Sequence, residues 1–173
     1  MNIFTKSALA VLLSAGIAQA GNYTLGDLKI EHPRAFETAK NAKVGGGYMT
    51  LTNNGGVDDT LVEVRVAEIP RIELHLSETD ANGVATMTEQ KGGIPVPAGK
   101  TVMLMPGGLH VMFMGLGGDP FELGEQINAT LVFEQAGEID IAFDVVARTA
   151  GDHGTMKHGD HGTMDNSGET NSD

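Results

Sequence analysis

Short runs in which apolar and polar residues alternate fill the sequence between Gly21 and about Ala150. Such alternation is typical of β-strands, whose successive side chains point to opposite faces, and the intervening Gly, Pro, Asn and Asp residues form turns. A helical period of 3.6 residues is hard to find there. We therefore predict one all-β domain, an antiparallel β-sandwich or barrel, with nine strands over residues 23–31, 47–52, 60–68, 71–77, 84–89, 101–105, 110–114, 126–133 and 139–146.

Residues 1–20 have the composition of a secretory signal peptide. A short basic start precedes an apolar run over 7–18, and Ala18-Gln19-Ala20 offers a small-x-small cleavage site. The run is shorter than the roughly 20 apolar residues that a membrane-spanning helix needs, so we expect no membrane insertion. An uncleaved anchor or a buried helix is the alternative. We expect an exported protein that begins at Gly21.

Residues 151–173 differ from the rest of the chain because they contain no Leu, Ile, Val or aromatic residue. Such a segment cannot bury apolar surface, and we expect a disordered tail. A five-residue sequence, Asp-His-Gly-Thr-Met, occurs in it twice. A solvated acidic tail is the alternative, but the repeated pairing of imidazole and thioether predicts metal binding. The candidate ligands of the tail are His153, Met156, His158, His161 and Met164.

The composition excludes several classes of protein. The 173 residues include no Cys, which removes disulfide frameworks, thiolate zinc sites, iron–sulfur clusters and blue-copper centres with a Cys ligand. A formal net charge of -12 argues against nucleic acid or an anionic membrane as a partner, because both attract Lys and Arg. Nine Met and six His remain as ligands for soft and borderline metal ions.

The strand predicted over 110–114 places an imidazole and a thioether on one face. Its apolar residues Val111 and Phe113 share the opposite face. Same-face side chains two residues apart are about 7 Å apart at their bases, so His110 and Met112 can converge on one ion.

Two further strands carry similar groups. His75 alternates with apolar residues over 71–77 and so projects from the polar face, and Met87 lies within the strand over 84–89. Thioether sulfur is soft and favours Cu(I), whereas imidazole accepts Cu(I), Cu(II) and Zn. The alternative is that these Met residues fill an irregular core. The candidate copper ligands are His75, Met87, His110 and Met112.

These residues resemble the motif of the PCuAC family of periplasmic copper chaperones, which is His, an optional Met, ten residues, Met, about 21 residues, then His-x-Met. The segments Ile94-Pro95-Val96-Pro97-Ala98-Gly99 and Pro106-Gly107-Gly108 extend the likeness. This chain departs in two ways, since Leu76 occupies the optional Met position and the second spacing is one residue longer. The first departure removes one thioether, and the second is a loop change.

The resemblance implies a cupredoxin-like fold that binds Cu(I) through His75, Met87, His110 and Met112. It also implies delivery of copper to the binuclear copper centre of cytochrome c oxidase subunit II in the periplasm, in some members alongside a thiol-bearing assembly factor. Some members have a His- and Met-rich extension that takes Cu(II), which residues 151–173 resemble.

Alternative functions follow from the same ligands. A periplasmic copper storage or buffering protein would use them equally well. An electron-transfer protein or copper enzyme would need the missing Cys or more His in the domain, and no Gly-x-Ser-x-Gly turn of a hydrolase occurs. We therefore expect a monomeric copper chaperone that is not an enzyme.

Overall fold

Strands are the regular elements of the computed structural model, which describes residues 21–148. The predicted all-β class is therefore confirmed, and no described segment is a helix long and apolar enough to cross a membrane. The predicted signal peptide and tail lie outside the described residues. The strands are β1 Asn22–Leu25, β2 Leu28–Phe36, β3 Val44–Asn53, β4 Asp59–Arg65, β5 Arg71–Thr79, β6 Ala85–Glu89, β7 Ile94–Val96, β8 Thr101–Leu104, β9 Leu109–Met114, β10 Gln126–Phe133 and β11 Gly137–Val146.

The strands form one curled sheet in the order β6-β5-β9-β8-β3-β2-β11-β10-β4-β7, with β1 paired to β2. Most pairings are antiparallel, as predicted, but β11 runs parallel to β2 and β8 meets β9 in a parallel bridge. The parallel pair of β11 and β2 has a long connection, since nearly the whole domain lies between these two strands. Alternation of side chains does not reveal strand direction, so these two parallel pairings could not be predicted from it.

Two elements differ in kind from the prediction, while the ends of the other strands agree within about three residues. The strand predicted over 23–31 is a hairpin, because Gly26, with φ of 58°, turns the chain between Leu25 and Leu28. The short strand β7 was predicted only as an extended segment leading to a turn. It contains Pro95 and lies at the end of the sheet beside β4, where a missing N–H costs no ladder hydrogen bond.

The core takes alternate residues from most strands of the sheet. Phe113 and Phe143 are fully buried, and their rings meet edge to face at 5.5 Å between centroids. Gly47 of β3 lies against this pair, since a Cβ there would be 2.8 Å from the Phe113 ring. The glycine therefore lets β3 pack closely against the aromatic core and holds β9 in place.

A buried carboxylate fastens the other end of the sheet. Asp59, at the start of β4, accepts hydrogen bonds from the backbone N–H groups of Thr60, Gln135 and Ala136 at 2.7, 2.9 and 3.0 Å. Its acceptor oxygens thus join β4 to the turn between β10 and β11, and the buried polar group is satisfied.

His32 is the one described non-glycine residue with positive φ, at 50°. It lies in β2 where the register with β3 shifts between Glu31 and Arg34, and its N–H donates to the carbonyl of Gly21 at 2.9 Å. The side chain is exposed. The residue forms a bulge that bends β2.

Candidate metal centre

Strands β5 and β9 bring the two predicted histidine ligands together. His75 is the register partner of His110, and the ring centroids are 5.8 Å apart at an interplanar angle of 69°. The next pair along the same face is Glu73 with Met112. Because partners in an antiparallel pair project to one face, two imidazoles and one thioether share a small area of the outer surface. Here three of the four predicted ligands are neighbours.

The ring of His75 has one nitrogen in a hydrogen bond and one without a partner. Nε2 lies 2.8 Å from Oε2 of Glu73, and since a carboxylate only accepts, this nitrogen is the donor. Nδ1 is buried, and no group in the described chain hydrogen-bonds to it. A buried nitrogen lone pair without a donor is unfavourable unless another partner such as a metal ion takes it. The donor chemistry of His75 therefore fits copper.

The position of His110 on the face opposite the apolar Val111 and Phe113 predicts an exposed side chain, but His110 is buried, with 5% exposure. The reason is that the rings of Tyr48, at 6.4 Å, and His75 cover it. Its Nδ1 donates to the carbonyl of Gly108 at 3.0 Å, which leaves the lone pair on Nε2. Burial lowers the pKa of His110 from its ordinary 6.5, against the opposing effect of the Gly108 carbonyl, and nearby His75 lowers it further. The neutral ring is the form that binds a metal.

Met112 lies on β9 between β5 and β3 and is half-buried. Its partner on β3 is Gly46, where a Cβ would be 2.6 Å from the hydroxyl oxygen of Tyr48. The glycine thus makes room for the phenol end of Tyr48 close to the strand that carries Met112. The ring of Tyr48 also packs on Phe36 at 5.2 Å, so an aromatic wall borders the histidines.

Met87 occupies a different position from Met112. It lies on β6 opposite Ser77 and is 53% exposed, while Glu89 of the same strand is the partner of His75. Met87 is thus a diagonal neighbour of His75 on the side away from Met112. Standard strand spacings put the bases of the two Met residues roughly 15 Å apart in a flat sheet. The register therefore groups His75, His110 and Met112 and leaves Met87 farther along the hairpin.

Glu73 is the residue of this surface that the sequence reasoning missed. Oε1 accepts a hydrogen bond from Nε of Arg71 at 2.6 Å, and a second guanidinium nitrogen of Arg71 pairs with the same oxygen. The hydrogen bond from His75, followed by that from Arg71, lowers the pKa of Glu73 below its ordinary value. The alternation that placed His75 on the polar face also placed Glu73 there, two residues earlier, so the signal was available.

The donor set selects the metal. Between residues 21 and 148, no three His, Asp or Glu side chains are placed to hold an ion together. The soft donor beside the two imidazoles is the thioether of Met112, and thioether sulfur favours Cu(I) over Zn or hard cations. The five predicted tail ligands lie outside the described residues.

Comparison with known proteins identifies a family for this chain. Residues 28–145 match the family described as "Putative lipoprotein LpqE-like". The "Putative lipoprotein Lxx21020" of Leifsonia xyli subsp. xyli (strain CTCB07) is 32% identical over 116 residues, which are 67% of this chain and 69% of that protein.

Two solved structures have a similar fold. The apo PCuAC domain from PmoF1 has a TM-score of 0.62 at 29% identity, covering 74% of this chain and 100% of that domain. The copper-bound PCuAC domain from PmoF2 has a TM-score of 0.61 at 28% identity, covering 74% and 99%. The match over residues 28–145 and the cupredoxin-like sheet give one conclusion: the chain belongs to the LpqE-like family, and its fold is that of the PCuAC domains.

Proposed function

We propose that this protein is a periplasmic copper chaperone that binds one Cu(I) at His75, His110 and Met112, with Met87 as a further thioether from the β5–β6 hairpin. The observation that carries the proposal is the buried, unpartnered Nδ1 of His75, in register with His110. Likeness to a copper-bound PCuAC domain supports copper as the cargo. The lipoprotein name of the family supports export.

The geometry suits transfer better than catalysis. Thioether ligands are uncharged and need not lose a proton, so they can exchange without a change of charge. Met87 is exposed on β6, whose residues are all exposed, and β6 pairs only with β5 among the described strands. We infer that Met87 meets an acceptor first and helps to pass the ion to or from the buried histidines.

We further propose that the acceptor is the binuclear copper centre of cytochrome c oxidase subunit II, with a thiol-bearing assembly factor as a second partner. We also propose that the tail takes Cu(II) through His153, Met156, His158, His161 and Met164. Storage or buffering of periplasmic copper is the rival function, because it would use the same ligands.

A copper-transfer experiment distinguishes a delivery function from a storage function. Cu(I)-loaded protein is mixed with the apo copper domain of oxidase subunit II, the two are separated by ion exchange, and copper is measured in each. We expect most of the copper on the oxidase domain, because a chaperone must release its ion to a tighter site. The control is loaded protein mixed with an oxidase domain whose copper-binding Cys residues are blocked. Retention of copper by the loaded protein in both mixtures would favour storage.

A further inference from the structure

Three side chains on the outer face of β5 form a linked series. Arg71 donates to Oε1 of Glu73 at 2.6 Å, and the other carboxylate oxygen accepts from Nε2 of His75 at 2.8 Å. Alternate residues of one strand share a face, so the series follows directly from the spacing of two. The side chain of Arg71 is 64% exposed, while those of Glu73 and His75 are 13% and 12% exposed. The series therefore runs from solvent to a largely buried imidazole.

The carboxylate determines the tautomer of His75. An ionised carboxylate has no proton to donate, so the proton of a neutral imidazole must sit on Nε2. The lone pair is then on Nδ1, the nitrogen that is buried without a partner. Arg71 binds the oxygen that His75 does not use, which fixes the carboxylate in this orientation. Both observations, the occupied Nε2 and the unpartnered Nδ1, select the same nitrogen for a metal.

The second histidine is held in the opposite way. The carbonyl of Gly108 accepts from Nδ1 of His110, so the free lone pair is on Nε2. The backbone supplies this acceptor, and the turn before β9 positions it, since the N–H of Gly108 donates to the carbonyl of Met105 at 3.0 Å. Two different acceptors thus leave unlike nitrogens free on the two rings.

From these contacts we infer that Glu73 is a positioning residue for the copper site: it holds the Nε2 proton of His75, so that Cu(I) is bound by Nδ1 of His75 together with Nε2 of His110. The inference rests on the proposed Cu(I) site. A carboxylate on the far nitrogen of a ligating imidazole also raises the electron density at the metal-binding nitrogen, and loss of such a partner commonly weakens metal affinity 10- to 100-fold.

Nitrogen-15 NMR of the full chain tests the inference, because protonated and bare ring nitrogens have well separated shifts. In the apo wild type we expect the Nε2–H tautomer at His75 and the Nδ1–H tautomer at His110. On addition of Cu(I), the shift of Nδ1 of His75 and that of Nε2 of His110 should move while both protons stay in place.

Substitutions of Glu73 test the cause. Glu73→Leu keeps most of the volume and removes the acceptor, so His75 should become a mixture of tautomers and Cu(I) affinity should fall about 10- to 100-fold. Glu73→Gln keeps an acceptor oxygen and should restore the Nε2–H tautomer and most of the affinity. The matched control is Glu78→Leu, an exposed carboxylate on the same strand, which should change neither.

The outcomes separate this inference from the proposed function. If Cu(I) binds the wild type and Glu73→Leu equally, or shifts Nε2 of His75 instead of Nδ1, the positioning role is overturned while the proposed function stands. If the wild type binds no Cu(I), the proposed function is overturned and this inference with it. If Glu73→Leu does not fold, Arg71→Gln provides the same comparison. The expected change of His75 toward a mixture of tautomers is then smaller.

Discussion

At Met112, the proposed copper site differs from ordinary surface packing by one sulfur atom. The side chain is half-buried beside Gly46 and Glu73, where a Leu of similar volume would also fit. The two imidazoles alone would accept several metals, so the proposed preference for Cu(I) depends on the thioether.

Met112→Leu should therefore weaken Cu(I) binding at least about tenfold, or about 1.4 kcal/mol, with little effect on folding. The measurement is a competition titration against a Cu(I) chelator, with circular dichroism to verify the fold. Met103→Leu is the matched control, because Met103 is 57% exposed on β8 and lies outside the proposed ligand set. Equal affinity in the wild type and Met112→Leu would remove Met112 from the site.

Part of the candidate site could be predicted from the sequence. Alternation over 110–114 placed His110 and Met112 on one face because Val111 and Phe113 had to be buried, and both are fully buried. The pairing of His75 with His110 could not be predicted from the sequence, since the register between strands far apart in the chain depends on the whole sheet. The burial of His110 also required knowledge of Tyr48, which comes from β3.

The hairpin of β5 and β6 carries Met87, and one carboxylate organises its turn. Asp80 accepts hydrogen bonds through Oδ1 from the backbone N–H groups of Asn82 and Val84, at 2.9 and 2.8 Å. These hydrogen bonds lower the pKa of Asp80 below its ordinary 3.8, and the one from Val84 has the largest effect. The ionised carboxylate therefore stabilises the turn.

Because this pKa is lowered on folding, the stabilisation is fully present above pH 3.8 and is lost as the pH falls through the lower value of the folded protein. The amide shift of Val84 should accordingly titrate with a midpoint below 3.8. Asp80→Ala should abolish that titration and speed amide exchange at Val84 severalfold at neutral pH. Asp144→Ala, which removes a distant, half-buried carboxylate of β11, should leave Val84 unchanged. A midpoint at or above 3.8 would contradict the assigned hydrogen bonds.

Most elements were predictable from alternation, and the exceptions have physical causes. Strand β10 was predicted with its observed bounds, since it alternates cleanly between two turns. The break between β1 and β2 was missed because one Gly with positive φ interrupts an otherwise continuous pattern. Strand β7 was missed because it has three residues and contains a Pro.

The distribution of ligand types along the whole chain predicts two kinds of copper site. The folded domain offers buried imidazole with thioether, whereas residues 151–173 offer His with many carboxylates, which suit Cu(II) better. A chain that ends at Ala150 should therefore lose Cu(II) binding and keep its Cu(I) affinity. Isothermal titration with each ion, compared with the full chain, measures both. Equal Cu(II) uptake by the two chains would rule out a tail site.

The parallel pairing of β11 with β2 determines where the chain leaves the described domain. Arg148, two residues after β11 ends, lies over the ring of Phe36 at 5.0 Å, and Phe36 contacts Tyr48, which borders His110. The chain thus leaves the described domain beside the aromatic wall of the copper centre. A group tethered there has an effective concentration near His110 that is set by the length of the tether. Such a group would therefore encounter the histidines at a rate independent of how dilute the protein is.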